Sequence, residues 1–152
     1  SSGRTTNGPV LMPVLDALAS YIDTSSTAFT VGTNLFKAIM LDNIVVNTAA
    51  VLYETPGLTN VYTFSTTANK ARTAMERPSI QLISRSTSYS TARSKAETVY
   101  TLLDGLNNRG LPTTTGTLYH DISAAQAPFF LQRDEHDRYL VAANFNVVKA
   151  VG

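Results

Sequence analysis

One apolar stripe constrains this chain most. Between residues 88 and 108, Tyr89, Ala92, Ala96, Val99, Leu103 and Leu106 recur at intervals of three, four, three, four and three. Only an α-helix lines such positions up on one face, so the spacing predicts a helix over roughly 88–108. Arg93 and Glu97 fall four apart on its outer side, where an ion pair adds little. Asn107, Asn108 and Gly110 offer left-handed C-caps, and Pro112 forbids continuation. A one-sided helix needs a surface to lie on. Just upstream, Pro78 opens a strand over Ser79–Arg85, in which Ile80 and Leu82 face one side and Gln81 and Ile83 the other.

The rest of the chain extends that pairing of helix and sheet. Leu11, Val14, Leu15, Leu18 and Ile22 form a second helical stripe over 10–23, with Pro9 and Pro13 near its first turn and Asn7 as a candidate N-cap. Residues 28–64 hold short β-prone runs, Ile44–Val46, Ala49–Tyr53 and Val61–Phe64, split at Asp42-Asn43 and Pro56-Gly57; they predict two or three antiparallel strands. Ser65–Arg77 has little apolar content and reads as a long polar loop. In Thr117–Ser123, Leu118, His120 and Ile122 alternate with Tyr119 and Asp121, which puts His120 on the apolar side. Pro128–Arg133 and Arg138–Val148 flank the acidic turn Asp134-Glu135-His136-Asp137 as a hairpin. The expected fold is α+β: a mostly antiparallel sheet, two helices on one face and a C-terminal β-hairpin. Residues 1–9 read as a flexible arm and 10–152 as a single domain.

Composition removes several classes of function. The chain has no Cys, so it has no disulfide framework, thiolate metal site or cysteine nucleophile. No run approaches the length of apolar residues that a membrane-spanning helix needs, and the start lacks the basic-then-apolar order of a signal peptide. Lys and Arg total 12 against 11 Asp and Glu, and a net charge of +1 argues against dedicated nucleic-acid binding. Charged residues are only 15% of the chain, so its polarity rests on Thr, Ser and Asn. Such a surface repels neighbours weakly and suits a protein packed among copies.

Catalytic equipment is hard to assemble from these residues. His120 reads as a core or inter-subunit histidine without the orienting partner and nucleophile that a general base serves. His136 sits with Asp134, Glu135 and Asp137, a set that a hard cation would attract, but adjacent residues of a tight turn do not converge on one ion and the EF-hand spacing is absent. No Gly-x-Ser-x-Gly elbow and no glycine-rich phosphate loop occur. Lys70, Arg72, Arg77, Arg85, Arg93 and Lys95 cluster loosely in sequence, as solvated loops and helix faces do. The residues alone describe a binding or structural module with no catalytic, cofactor or metal site.

Three stretches carry a resemblance. The first is Val31-Gly-Thr-Asn-Leu-Phe36 with Ala50-Val-Leu-Tyr-Glu-Thr-Pro-Gly57. The second is Glu76-Arg-Pro-Ser-Ile-Gln-Leu-Ile-Ser-Arg85 with Ser88-Tyr89 and Val99-Tyr-Thr-Leu-Leu-Asp-Gly105. The third is Arg133-Asp134 with Arg138-Tyr-Leu-Val-Ala-Ala-Asn-Phe-Asn146. Over roughly residues 10–149 the chain resembles the minor capsid or tail-completion family of long-tailed bacteriophages, whose characterised relatives are tail terminators. It departs from the pattern between Met40 and Thr48. The resemblance implies a virion protein that forms a ring, commonly a homohexamer, on the last ring of the tail tube. That ring would stop tube polymerisation, present a face to the head–tail connector and let DNA pass through its lumen. Lys70, Arg72 and Arg77 are then candidate contacts to a partner or the lumen, while Arg77, Pro78 and Arg85 as strand-register residues remain the plainer reading. A head-completion adaptor on the portal side is an alternative within the same virion. A small metal-dependent hydrolase using Asp134–Asp137 and His120 is the alternative from another class.

Overall fold

A computed structural model describes residues 13–39, 43–63 and 72–150. The arm 1–9 with Asn7, as well as Leu11, Met40 and Lys70, lies outside the described residues. The elements run α1 (Val14–Ser25), β1 (Leu35–Lys37), β2 (Ala49–Thr63), β3 (Arg72–Ser86), α2 (Tyr89–Leu103), β4 (Leu106–Leu111), β5 (Thr117–Arg133) and β6 (Tyr139–Ala150). The strands form one sheet in the order β1-β2-β3-β6-β5-β4. β1 and β2 are parallel and every other neighbouring pair is antiparallel. This is the α+β arrangement that the periodicities predict.

Both apolar stripes meet the sheet in one core. Leu15, Leu18 and Ile22 of α1 and Ala92, Ala96, Val99 and Leu103 of α2 pack with Leu52, Ile80, Leu82, Val141 and Phe145. Each fully buried Leu or Ile here contributes about 1.5–3 kcal/mol relative to exposure. α1 touches β1 and β2 at one end of the strand order and β4 at the other, so the sheet curls around it. Arg109 of β4 stacks over the ring of Tyr21 of α1, 5.2 Å from its centroid.

The boundaries shift where tertiary pairing overrides local pattern. α1 begins at Val14, because Pro13 occupies the N-cap in an extended conformation, and runs to Ser25. Its end is carried past Asp23 by Thr24, whose hydroxyl donates to the Ser20 carbonyl at 3.1 Å. α2 stops at Leu103: Gly105, at φ +88°, turns the chain, and its N–H donates to Ile122 O at 2.8 Å. Leu106 therefore lies in a strand opposite Ile122, not on the helix. Pro56-Gly57 does not break β2. The register slips there, and Gly57 passes so close to β3 that a Cβ would stand 2.2 Å from Arg77 O. Pro78 lies inside β3 opposite that irregularity, so its missing N–H interrupts little. Arg72–Arg77, expected in a loop, belong to β3. The expected strands 117–123 and 128–133 are one strand, continuous through register shifts. One of these shifts falls between Tyr119 and Asp121. It leaves Tyr119 buried, Leu118 exposed and His120 half-buried, so Tyr119 rather than His120 joins Ile122 in the core.

Candidate assembly surface

The sheet face away from the helices is closed at one end by a strap, residues 43–48, and by one side chain beneath it. Arg85 is completely buried. Its Nη2 donates to Ile44 O at 2.9 Å and to Val46 O, and its Nε donates to Asn47 O at 3.3 Å. The hydroxyls of Thr48 and Ser86 meet at 3.1 Å alongside. An irregular segment cannot satisfy its own carbonyls, and a guanidinium supplies several donors in one fixed plane. Ile44 is thereby pressed onto Ala49 and Val51, while Val45 is 93% exposed. Sequence reading placed Arg85 as a strand-register residue and among a loose cluster of solvated basic residues. Burial overturns the surface reading: Arg85 shares strand parity with Ile83, and only the strap folded over it removes it from water.

The acidic turn is a folding device. Asp134 accepts the backbone N–H groups of His136 and Arg138, each at 2.9 Å, and the Arg138 Nε at 2.8 Å. Burial acts to raise its carboxyl, but the two backbone donors and the Arg138 guanidinium outweigh that and hold it below the ordinary carboxylate range. Asp137 sits at φ +60° and faces Arg133 at 3.3 Å. These carboxylates are spent on the turn, and His136 is exposed beside them. Among the described residues no group of three His, Asp or Glu is placed to hold a metal ion.

A second buried polar cluster joins β3, β5 and β6. Lys149, almost fully buried, pairs with Glu76 at 2.8 Å and lies opposite Tyr119. Among the described residues the buried Tyr119 hydroxyl has no hydrogen-bond partner. Burial first, and the Glu76 charge second, push its pKa well above the usual tyrosine value. Sequence reading singled out none of these three; their opposite charges meet only through strand register.

Two of the three basic candidates map onto β3 of the β2–β3 pair. Arg72 pairs in register with Thr63 at the outer end of the hairpin, and Arg77 lies opposite Leu58, partly buried and engaged within the chain. Lys70 falls outside the described residues. Among the described residues the last β3–β6 partner toward this end is Met75↔Ala150, while Thr73 and Arg72 go on to pair with Tyr62 and Thr63 of β2. Among the described residues the hairpin thus extends past the last β6 pair.

Among the described residues, both flanks of the sheet are only half covered. β1 pairs with Ala50–Leu52 of β2, and β4 with Thr117–Ile122 of β5. Among the described residues no strand borders β2 beyond Leu52 or β5 beyond Ala124, whose N–H donates to Asp104 at 2.8 Å. Tyr89 meets Phe130 and Tyr139 edge-on beside the β5 flank, and those two rings lie tilted to each other, with centroids 5.9–6.3 Å apart. Phe130 and Leu131 are largely exposed there, as is Leu58 on β2.

Comparison with known proteins gives three results. Residues 47–151, which contain α2 and all strands but β1, match a family described as bacteriophage tail terminator protein. A solved structure titled "Virion of native gene transfer agent (GTA) particle" contains a similar chain with 15% identity and a TM-score of 0.47, covering 88% of this chain and 84% of that one. No curated protein matches the chain.

Proposed function

The chain belongs to the bacteriophage tail terminator family and is a structural protein of the virion tail, and from that premise we propose that it caps the completed tail tube as a ring. A tube grows by adding identical rings, so its end always offers the same surface. A terminator must bind that surface without recreating it on its far side. In this reading the ring is a homohexamer, its far side serves the head–tail connector, and DNA passes through its lumen without sequence-specific contacts. Residues 10–152 act as one domain, the arm 1–9 orders at the neck, and assembly occurs in the host cytoplasm. No catalytic role is assigned to His120 or His136.

The observation that carries this reading is the projecting β2–β3 hairpin, which lies entirely within the matched residues. Among the described residues its outer pairs, Tyr62↔Thr73 and Thr63↔Arg72, lie past the last β3–β6 pair, so its length serves something beyond the monomer. We assign it to the tube or the lumen, with Lys70, Arg72 and Arg77 facing acidic patches of a neighbour or DNA phosphates.

Deleting Thr67–Thr73 in the phage tests it. The expected outcome is a folded monomer with overlong tails and unjoined heads in negative-stain images. Normal-length tails on filled heads would remove the hairpin from the mechanism. Normal tails when the whole protein is absent would remove the capping role. Normal-length tails lacking heads would favour an adaptor on the portal side.

A further inference from the structure

The two half-open flanks of the sheet are complementary to one another. The register chain Ala124↔Phe145, Phe145↔Ile80 and Ile80↔Glu54 puts Ala124 and Glu54 at one level across the sheet. From that level the open stretch of β5 runs one way, toward Arg133, and the open stretch of β2 runs the other way, toward Thr63. Three antiparallel pairings separate the two strands, so β2 and β5 are themselves antiparallel. A second sheet slid along the strands therefore brings its β2 opening beside the β5 opening of the first, as an antiparallel pair.

We propose that neighbouring copies of this chain join by this contact, the open flank of β5 in one copy against the open flank of β2 in the next. The inference rests on the ring reading above and names its interface. Two unlike flanks on one subunit are what a head-to-tail ring requires, and a stagger between successive sheets is what closing tilted strands requires.

Side chains favour a second copy over any other occupant. Antiparallel pairing of the two openings sets Arg133, at the far end of β5, against the start of the β2 opening at Glu54. Glu54 is exposed and has no ion-pair or hydrogen-bond partner among the described residues. Arg133 is half exposed and, among the described residues, holds only the solvent-facing Asp137 and the Tyr139 ring. The same alignment sets Leu58, 62% exposed, against the stretch around Pro128 and Phe129. Each flank carries one proline, Pro56 or Pro128, and a register irregularity. Such features block indiscriminate edge pairing and leave few registers in which the flanks fit.

The absence of cysteine makes the test direct. The full chain carrying Glu54→Cys and Arg133→Cys is purified and oxidised, and its products are separated without reductant. The two positions lie on opposite flanks and cannot bridge within one copy, so a ladder of multimers is expected. Glu54→Cys with Arg109→Cys serves as the control and should stay monomeric. A parallel set reverses charge: Glu54→Arg or Arg133→Glu alone should weaken self-association roughly tenfold, and the pair together should restore most of it. Rings seen by native mass measurement, with no 54–133 ladder and no rescue, would overturn the interface while the ring reading stands. Monomers at every concentration, with no ladder even in assembled virions, would overturn both.

Discussion

The two faces of the sheet are closed by opposite means. On one face, α1 and α2 satisfy their own backbone and need only an apolar stripe to dock, so the core beneath them is built from Leu, Ile, Val, Ala and Phe. On the other, the strap 43–48 has no helix or ladder to occupy its carbonyls, and Arg85 is buried to serve them. A dry interface suffices where the covering element is hydrogen-bonded within itself. A covering loop needs a buried donor, and a cation with several N–H groups in one plane is an efficient one. The cost of losing the fastening should differ accordingly.

The largest effect is expected at Arg85. Arg85→Ala removes both side-chain volume and the donors for three strap carbonyls, a loss of about 3–5 kcal/mol in denaturant melts. Arg85→Met keeps most of the volume and separates the two contributions. If Arg85→Met were as stable as the natural chain, packing alone would hold the strap and the contrast between the faces would fail.

Next comes Leu103, completely buried under α2. Leu103→Ala should cost about 2–5 kcal/mol, set by the cavity left behind. A loss below about 0.5 kcal/mol, the range of surface substitutions, would show that the helix-covered face is not the core.

The smallest effect tests the hairpin turn that borders both faces. The Asp134 carboxyl is held below its unfolded value, so its stabilisation is complete above the ordinary carboxylate range and is lost as pH falls through the depressed folded value. Asp134→Asn should therefore unfold more readily than the natural chain near neutrality, with the gap closing in acid. A gap independent of pH would mean that the turn depends on shape rather than on the charge of Asp134.

The legible parts of the fold were those written in short-range spacing. The α2 stripe from Ala92 to Leu103, the alternation of Ile80 and Leu82, and the turn at Asp134–Asp137 each follow from residues a few positions apart. The assembly surface was much less legible. The basic residues Arg72 and Arg77 stood out as charges in a polar stretch, yet their strand pairing with Thr63 and Leu58 is invisible without β2 beside them. Glu54 and Arg133 drew no attention as a pair, because only the order of strands reveals that they border opposite open flanks.

By itself the sequence determined the helix faces, the hairpin turn, the absence of thiol chemistry and the family resemblance, since periodicity, residue type and motif are properties of neighbouring positions. Tertiary structure alone decided that Leu106 begins a strand, that Pro56-Gly57 is a bulge, that Tyr119 rather than His120 enters the core and that Arg85 is buried. Each of these depends on which distant strand or loop supplies the missing hydrogen-bond partners, and a local pattern carries no record of that partner.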